Sequence, residues 1–201
     1  MKKVMILLII LLIGLAGISN AQSAKDALKS LKRLEAYCQT GISPIDFSRA
    51  LGDAKFEVNL FLESKEATQN VPLVETIKTI IAEYEDVQAV FRDASLGPYR
   101  NLDYIAPFSP AYASPALLKD LEERRKKEEA MQEYYKGFLV KYPDSNKQIE
   151  EGGSLTVDRS DIGKAIPKYG RKMNLNYLYP IILKYASRNI QEAMKLLPKE
   201  E

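Results

Sequence analysis

The chain contains no histidine and no tryptophan, and it has a single cysteine in 201 residues. Without histidine it lacks the usual general base at neutral pH, the imidazole metal ligand, and the Ser-His and Cys-His nucleophile pairs. One cysteine cannot form an intrachain disulfide, and it supplies too few ligands for a zinc or iron-sulfur site. We therefore predict a non-enzymatic protein with no catalytic residues, no cofactor and no metal site.

The single cysteine, Cys38, lies on an apolar stripe with Leu31 and Leu34. Free cysteine is among the most buried residue types, so we predict a buried, structural role for Cys38. The alternative is a disulfide between two chains, because disulfides form in oxidising compartments.

The N-terminus has the pattern of a secretory signal peptide. Lys2 and Lys3 precede an uncharged, mostly aliphatic run at 4–18, and Ser19-Asn20-Ala21 forms a small-x-small cleavage site. The run is shorter than the ~20 apolar residues that span a bilayer. This favours a signal peptide at 1–21, cleaved after Ala21, over an uncleaved signal-anchor.

The remainder of the chain is expected outside the cytoplasm, because the positive residues stay on the inner side of the membrane. The sequence has no Asn-x-Ser/Thr sequon, which gives no support to a glycosylated secreted protein. We therefore predict a periplasmic or extracellular protein of the bacterial cell envelope.

Charge is distributed unevenly along the chain. Lys2 and Lys3 account for the whole formal net charge of +2, so the mature chain is neutral and gives no support for binding nucleic acid. Within it, the net charge is +5 over 162–201 and −5 over 22–161. Either the basic segment docks on the acidic part or is solvated, or it binds an anionic lipid or an acidic partner. Its candidate residues are Lys164, Lys168, Arg171 and Lys172.

Residues 22–94 carry three helical patterns, and we predict an antiparallel three-helix bundle for this segment. Gly41 is a helix stop signal, and Ser43-Pro44 is a capping residue followed by proline at the first helical position. The third pattern follows Asn70-Val71-Pro72. The short connections favour antiparallel neighbours. Apolar residues recur at helical spacings, namely Ala24, Leu28, Leu31, Leu34 and Cys38, then Phe47, Leu51, Ala54, Val58 and Phe61, then Leu73, Ile77, Ile80, Tyr84, Val87 and Phe91.

Three stretches of this segment resemble a helical module of exported bacterial proteins with no assigned function. They are ALKSLKRLE at 27–35, Thr40-Gly41-Ile42, and DAKFEVN at 53–59. The resemblance covers about a third of the chain. It implies an exported helical protein and brings no catalytic motif with it.

Residues 95–115 form a Pro/Tyr-rich connector in which no helical or strand period is present. The connector holds four of the ten prolines and four aromatic residues. Connections of this length without regular structure are uncommon and are often functional. We predict a binding surface within 97–115, with the candidate residues Tyr99, Arg100, Asp103, Tyr104, Phe108 and Tyr112.

The last segment, 116–201, is predicted to be a long helix followed by helices that pack back on the bundle. The long helix begins at Ser114-Pro115 and ends at Tyr142, and its charged centre at 122–129 is expected to lie in water. A polar loop at 143–159, a short helix from Ser160 to about Tyr169 and a last helix from about Asn176 to Leu197 complete an all-α fold.

The favoured function is an exported interaction protein that binds an envelope protein partner through its helix faces and the 97–115 loop. Ten of the twelve tyrosines follow residue 95, and tyrosine suits both interfaces and half-buried packing. The alternative is a small-molecule-binding or sensing helical domain, with a cleft formed around Tyr99, Arg100, Asp103, Tyr104 and Tyr112.

Overall fold

Helices hold most of the part of the chain that the structure describes, in agreement with the predicted all-α class. The structure is a computed structural model and describes residues 24–102, 114–157 and 165–198. The predicted signal peptide lies outside the described residues. The helices are α1 (24–40), α2 (Pro44–Leu62), α3 (Lys65–Gln69), α4 (Val71–Leu96), α5 (Pro115–Lys141) and α6 (Leu175–Lys195). A 3-10 helix spans Pro143–Gln148, and the strands are β1 (Tyr99–Asn101), β2 (Ile149–Val157) and β3 (Ala165–Asn174).

The described residues group into two compact units. Unit 1 comprises those in Met1–Ala89 and Ile182–Glu201, and unit 2 comprises those in Val90–Ile181. Helices α4 and α6 therefore each contribute residues to both units. The C-terminal half of α6 belongs to the same unit as α1 and α2.

Two helix starts follow the predicted capping chemistry. The Ser43 hydroxyl accepts a hydrogen bond from the Asp46 N–H (3.1 Å), and Pro44 is the first residue of α2. The Ser114 hydroxyl accepts one from the Leu117 N–H (3.3 Å) at the start of α5. Each cap satisfies an N–H group that has no partner within its own helix. Both predicted helix starts are confirmed.

The core of unit 1 is built from the predicted apolar stripes. Helix α2 buries its whole stripe from Phe47 to Phe61. The stripe of α4 is buried from Leu73 to Val87. Phe47 packs against Tyr84 with ring centroids 6.2 Å apart. Because burying one large apolar side chain contributes roughly 1.5–3 kcal/mol, these stripes are the main source of the stability of unit 1.

Helices α2 and α4 run in opposite directions. Near the start of α2, the Ser48 hydroxyl accepts a hydrogen bond from Gln88 Nε2 (3.0 Å) of α4. Farther along α2, Lys55 Nζ pairs with Glu85 Oε1, which precedes Gln88 in the sequence. Increasing residue numbers in α2 thus face decreasing numbers in α4.

The connection between α2 and α4 contains a short helix, α3, that the sequence analysis did not predict. Its Glu66 side chain is buried, and Glu66 Oε2 accepts a hydrogen bond from the backbone N–H of Ala24 (3.3 Å). The carboxylate therefore lies at the start of α1, where the helix dipole favours negative charge.

The C-terminal half of α6 makes polar contacts with other parts of unit 1. Asn189 Nδ2 donates a hydrogen bond to Glu83 Oε1 of α4 (2.8 Å). Asn70 Nδ2, just before α4, donates one to the Leu196 carbonyl oxygen (2.9 Å). These contacts accompany the buried apolar stripe of α6, which consists of Ile182, Ala186, Ile190 and Ala193.

Unit 2 contains an antiparallel sheet that the sequence analysis missed. Strand β3 is central, with β1 on one side and β2 on the other. In this register Tyr99 of β1 and Ile149 of β2 lie opposite Asn174 and Met173 of β3. The sheet is small, and the described part of the chain remains predominantly helical.

Two finer predictions are corrected by this sheet. The polar loop predicted at 143–159 contains the 3-10 helix and β2, and the short helix predicted up to Tyr169 overlaps β3. The residues there disfavour a helix, because Gly163 costs about 1 kcal/mol and Pro167 about 3 kcal/mol in a helix interior.

Helix α5 is exposed over most of its length. Its buried residues are Tyr135 and Phe138, both in the last two turns. Its charged centre forms exposed pairs four residues apart, namely Asp120 with Arg124, Glu122 with Lys126 and Arg125 with Glu129. The expectation that this centre lies in water is confirmed.

Replacing Arg124, Arg125, Lys126 and Lys127 together by Gln is expected to lower the stability only slightly. Exposed pairs of this kind contribute about 0.3–0.5 kcal/mol each, and glutamine retains good helix propensity. Thermal unfolding followed by circular dichroism measures the effect. A loss of several kcal/mol would contradict the exposed position of this part of α5.

Candidate functional site

The structure describes only two of the six candidate residues of the 97–115 loop, Tyr99 and Arg100. Tyr99 lies in β1 with half of its surface exposed (50%). The remaining four candidates, Asp103, Tyr104, Phe108 and Tyr112, lie outside the described residues. Whether the six converge on one surface therefore stays a prediction.

Arg100 closes the C-terminal end of α4. Its Nη2 donates a hydrogen bond to the Asp93 carbonyl oxygen (2.6 Å), and its Nη1 donates one to the Gly97 carbonyl oxygen (2.9 Å). The last carbonyls of a helix have no partner within the helix, and the helix dipole places negative charge there. The guanidinium group donates hydrogen bonds at this end of the helix, and its positive charge interacts favourably with the negative end of the helix dipole. Arg100 therefore has a structural role. The prediction of a binding surface in the loop did not include that role.

Gly97, between α4 and β1, is suited to this arrangement. Its φ is +154°, which side-chain-bearing residues rarely adopt. A Cβ at this position would lie 3.6 Å from Arg100 Nη1, an ordinary contact distance, so the backbone angle is what favours glycine. Glycine thus lets the chain turn from the end of α4 into β1 while Arg100 reaches back to the helix.

Next to this cap lies a buried carboxylate, Asp93, that the sequence analysis did not single out. Its Oδ2 accepts a hydrogen bond from the buried Tyr135 hydroxyl (2.8 Å), and its Oδ1 accepts one from Arg92 Nε (3.0 Å). Burial raises the pKa of Tyr135 well above its usual range, and the hydrogen bond to Asp93 raises it further. The phenol therefore stays protonated and links α5 to α4.

Tyr135 belongs to an aromatic cluster on the last turns of α5. Tyr135 and Phe138 are stacked with ring centroids 5.4 Å apart, and Phe138 lies 5.6 Å from Tyr142. Tyr134 contacts both Tyr135 and Phe138 edge-on. Tyr135 and Tyr142 of the tyrosine-rich C-terminal half are thus buried by packing.

The four basic candidates are distributed along and before β3. Arg171 and Lys172 are exposed, and their backbones lie opposite Glu151 and Glu150 of β2. Lys168 occupies the position of β3 opposite Ser154. Lys164 lies outside the described residues. A binding role for this set stays a prediction.

A surface groove of about 340 Å³ lies between α1 and α2 in unit 1. Its floor contains the buried Leu34 and the small side chains Ala50 and Ala54. Two exposed rings line it, Tyr37 (45% exposed) and Phe56 (62% exposed). An exposed apolar residue, Leu60 (47%), lies one turn beyond Phe56 on α2. Large exposed aromatic side chains of this kind are typical of interaction sites.

Three charged side chains also line the groove, Arg33 from α1 and Asp53 and Glu57 from α2. In the described part of the chain, none of the three makes an ion pair or hydrogen bond. Elsewhere on the surface, Lys55, Lys78 and Arg49 are paired. The groove thus presents charged groups that the protein itself does not neutralise.

This groove was not predicted from the sequence, although two of the stretches that carry the resemblance, 27–35 and 53–59, contribute to it. The available signal was Phe56 and Leu60, which are four residues apart and lie off the buried stripe of α2. A second groove of about 320 Å³ lies between α2 and α4, where Lys55 and Glu85 already form an ion pair.

Cys38, expected to be buried, is half-buried at the end of α1. Burial, with a smaller contribution from Glu35, raises the pKa of its thiol from 9.0 to about 11. The reactive thiolate is therefore scarce at neutral pH. Its oligomeric role stays a prediction.

Comparison with known proteins adds nothing to this geometry. The chain matches no protein-family model, no curated protein and no solved structure. The resemblance to a module of exported proteins therefore stays a prediction.

Within residues 24–102, 114–157 and 165–198, no helix is both long and apolar enough to cross a bilayer. The same residues contain no group of three or more Cys, Asp or Glu side chains arranged to hold a metal ion.

Arg100→Ala is expected to destabilise the protein by about 2 kcal/mol, because it removes charge-assisted hydrogen bonds to otherwise unpaired carbonyls. Tyr99→Ala, on the same strand, is the matched control and should change the stability by less than about 0.5 kcal/mol. Urea unfolding followed by circular dichroism measures both. Equal stability of the two variants would contradict the capping role.

The protein is expected to lose stability as the pH rises above about 10. Burial raises the pKa of Tyr84 and Tyr135 from the ordinary value of 10.0. The unfolded chain then releases protons that the folded chain retains, at about 1.4 kcal/mol per group and pH unit. Urea midpoints between pH 8 and 11 measure the decline, and Tyr84→Phe should make it shallower. A constant midpoint over this range would refute the expectation.

Proposed function

We propose that this chain is an exported, non-enzymatic interaction protein of the bacterial cell envelope, which binds a protein partner through its helix faces. The exposed rings of Tyr37 and Phe56 beside the groove between α1 and α2 carry the proposal. Aromatic residues are enriched at interfaces because they offer a large, stiff contact area. Leu60 extends the same apolar surface along α2.

The proposed scaffold of this surface is the antiparallel three-helix bundle of α1, α2 and α4. The contacts of Ser48 with Gln88 and of Lys55 with Glu85 support it for α2 and α4. A rigid scaffold suits binding, because fewer side chains and segments have to be ordered when the partner arrives.

The 97–115 loop stays in the proposal as a second contact region through the exposed Tyr99. Arg100 is less suited to a ligand-binding role, since its guanidinium already donates to backbone carbonyls. This weakens the alternative of a small-molecule cleft around the loop. Export through the predicted signal peptide and a contact of Lys164, Lys168, Arg171 and Lys172 with an anionic lipid or acidic partner remain parts of the proposal.

Partner capture tests the proposal. The tagged protein is recovered from an envelope extract, and partners are quantified by mass spectrometry. The double variant Phe56→Ala and Leu60→Ala should weaken the binding free energy for the partner by roughly 1–3 kcal/mol, as is typical of interface hot spots. Its helicity should be unchanged because both side chains are exposed.

Ile45→Ala is the matched control for this capture. Ile45 is also a large apolar residue of α2 and is 75% exposed, but it does not line the groove. It should retain the partner. Retention by the double variant, or equal loss in the control, would show that the partner does not bind at this surface.

A further inference from the structure

The charged residues of the groove indicate the chemistry of its occupant. Asp53 and Glu57 are four residues apart on α2, so their carboxylates lie on one face of the helix. Phe56 is adjacent to Glu57 and three residues from Asp53, and its exposed ring lines the same groove. Two carboxylates and an aromatic face therefore lie close together.

This combination favours a cation. A carboxylate attracts an ammonium or guanidinium group directly, and the face of an aromatic ring attracts it through the negative potential of its π electrons. The apolar stem of a lysine or arginine can also lie along the ring and the alanines of the floor. An anion would meet a groove in which negative charge is in excess.

Arg33 is the one basic side chain in the lining. It leaves the two carboxylates in excess, so the groove has a net charge of −1 at neutral pH. Its charge opposes a cationic occupant. Removal of the Arg33 charge should therefore strengthen binding of a cation and weaken binding of an anion.

We propose that the groove between α1 and α2 binds a lysine or arginine side chain of the partner. The inference rests on the proposed function in that the partner supplies this side chain. Asp53 and Glu57 contact the cationic group, while Phe56 and Tyr37 flank its stem. The binding chemistry is charge complementarity within a shallow aromatic groove.

Small probes test this chemistry without knowledge of the partner. The ¹⁵N-labelled protein, purified after export, is titrated with N-acetyl-lysinamide and N-acetyl-argininamide. N-acetyl-glutaminamide serves as the neutral control. The anionic control is the α-amide of N-acetyl-glutamate, whose side-chain carboxylate is free. The cationic probes are expected to shift the amide resonances of groove residues with a Kd of about 1–10 mM, and the controls are not.

Charge variants then test the sign of the interaction. Asp53→Asn with Glu57→Gln should weaken binding of the cationic probes about threefold to tenfold, and Arg33→Gln should tighten it by a few-fold. Glu63→Gln, an exposed change just after α2 and outside the groove, is the matched control and should have no effect. All of these residues lack partners in the described part of the chain, so circular dichroism should show unchanged folding.

Three results would overturn the inference. They are the absence of shifts at groove residues with about 50 mM cationic probe, stronger binding of the anionic probe, and tighter binding after Asp53→Asn with Glu57→Gln. The failure of the proposed function is distinct. Unchanged partner capture by the Phe56 and Leu60 variant, together with the expected probe binding, would reject that function and retain a cation-binding groove.

Discussion

The last turn of α4 is the anchor on which the described part of unit 2 depends. At one residue, Asp93, the backbone carbonyl accepts a hydrogen bond from Arg100 of β1 and the carboxylate accepts one from Tyr135 of α5. A helix end, a strand and a second helix are thereby joined within one turn. Because the carboxylate is buried, loss of a partner would leave a polar group unsatisfied, which costs more than the bond itself contributes. The aromatic cluster on α5 packs around this junction.

The helical part of the fold was predictable because its signals are local. Ser43-Pro44 and Ser114-Pro115 specify helix starts by their own hydrogen bonds and backbone angles, and the three- and four-residue spacings specify which face is buried. Strand β1 was missed because its signal is not local. It has three residues and pairs with β3 across the chain, so its stability comes from that pairing rather than from its own sequence. Strands β2 and β3 are consecutive in the chain, and they were missed because the segment up to Tyr169 was assigned to a loop and a helix.

The candidate site was less predictable than the fold. Arg100 and Tyr99 share a proline-rich connector, yet one reaches back to a helix end while the other is exposed, and the connector's composition does not separate these roles. The groove between α1 and α2 depends on the small side chains of Ala50 and Ala54, which line it from α2. A stripe of apolar spacing predicts burial there but does not reveal the space that a small side chain leaves.

Two pairs of polar residues in the described part of the chain differ in whether the protein satisfies them itself. Asp93 and Tyr135 are buried and bonded to each other, so their chemistry is used to hold the fold. Asp53 and Glu57 line a surface groove and make no hydrogen bond or ion pair in the described part of the chain. Their carboxylates therefore remain available to bind another molecule. This difference, rather than the abundance of tyrosine, is the reason that we place the proposed interaction surface on α1 and α2.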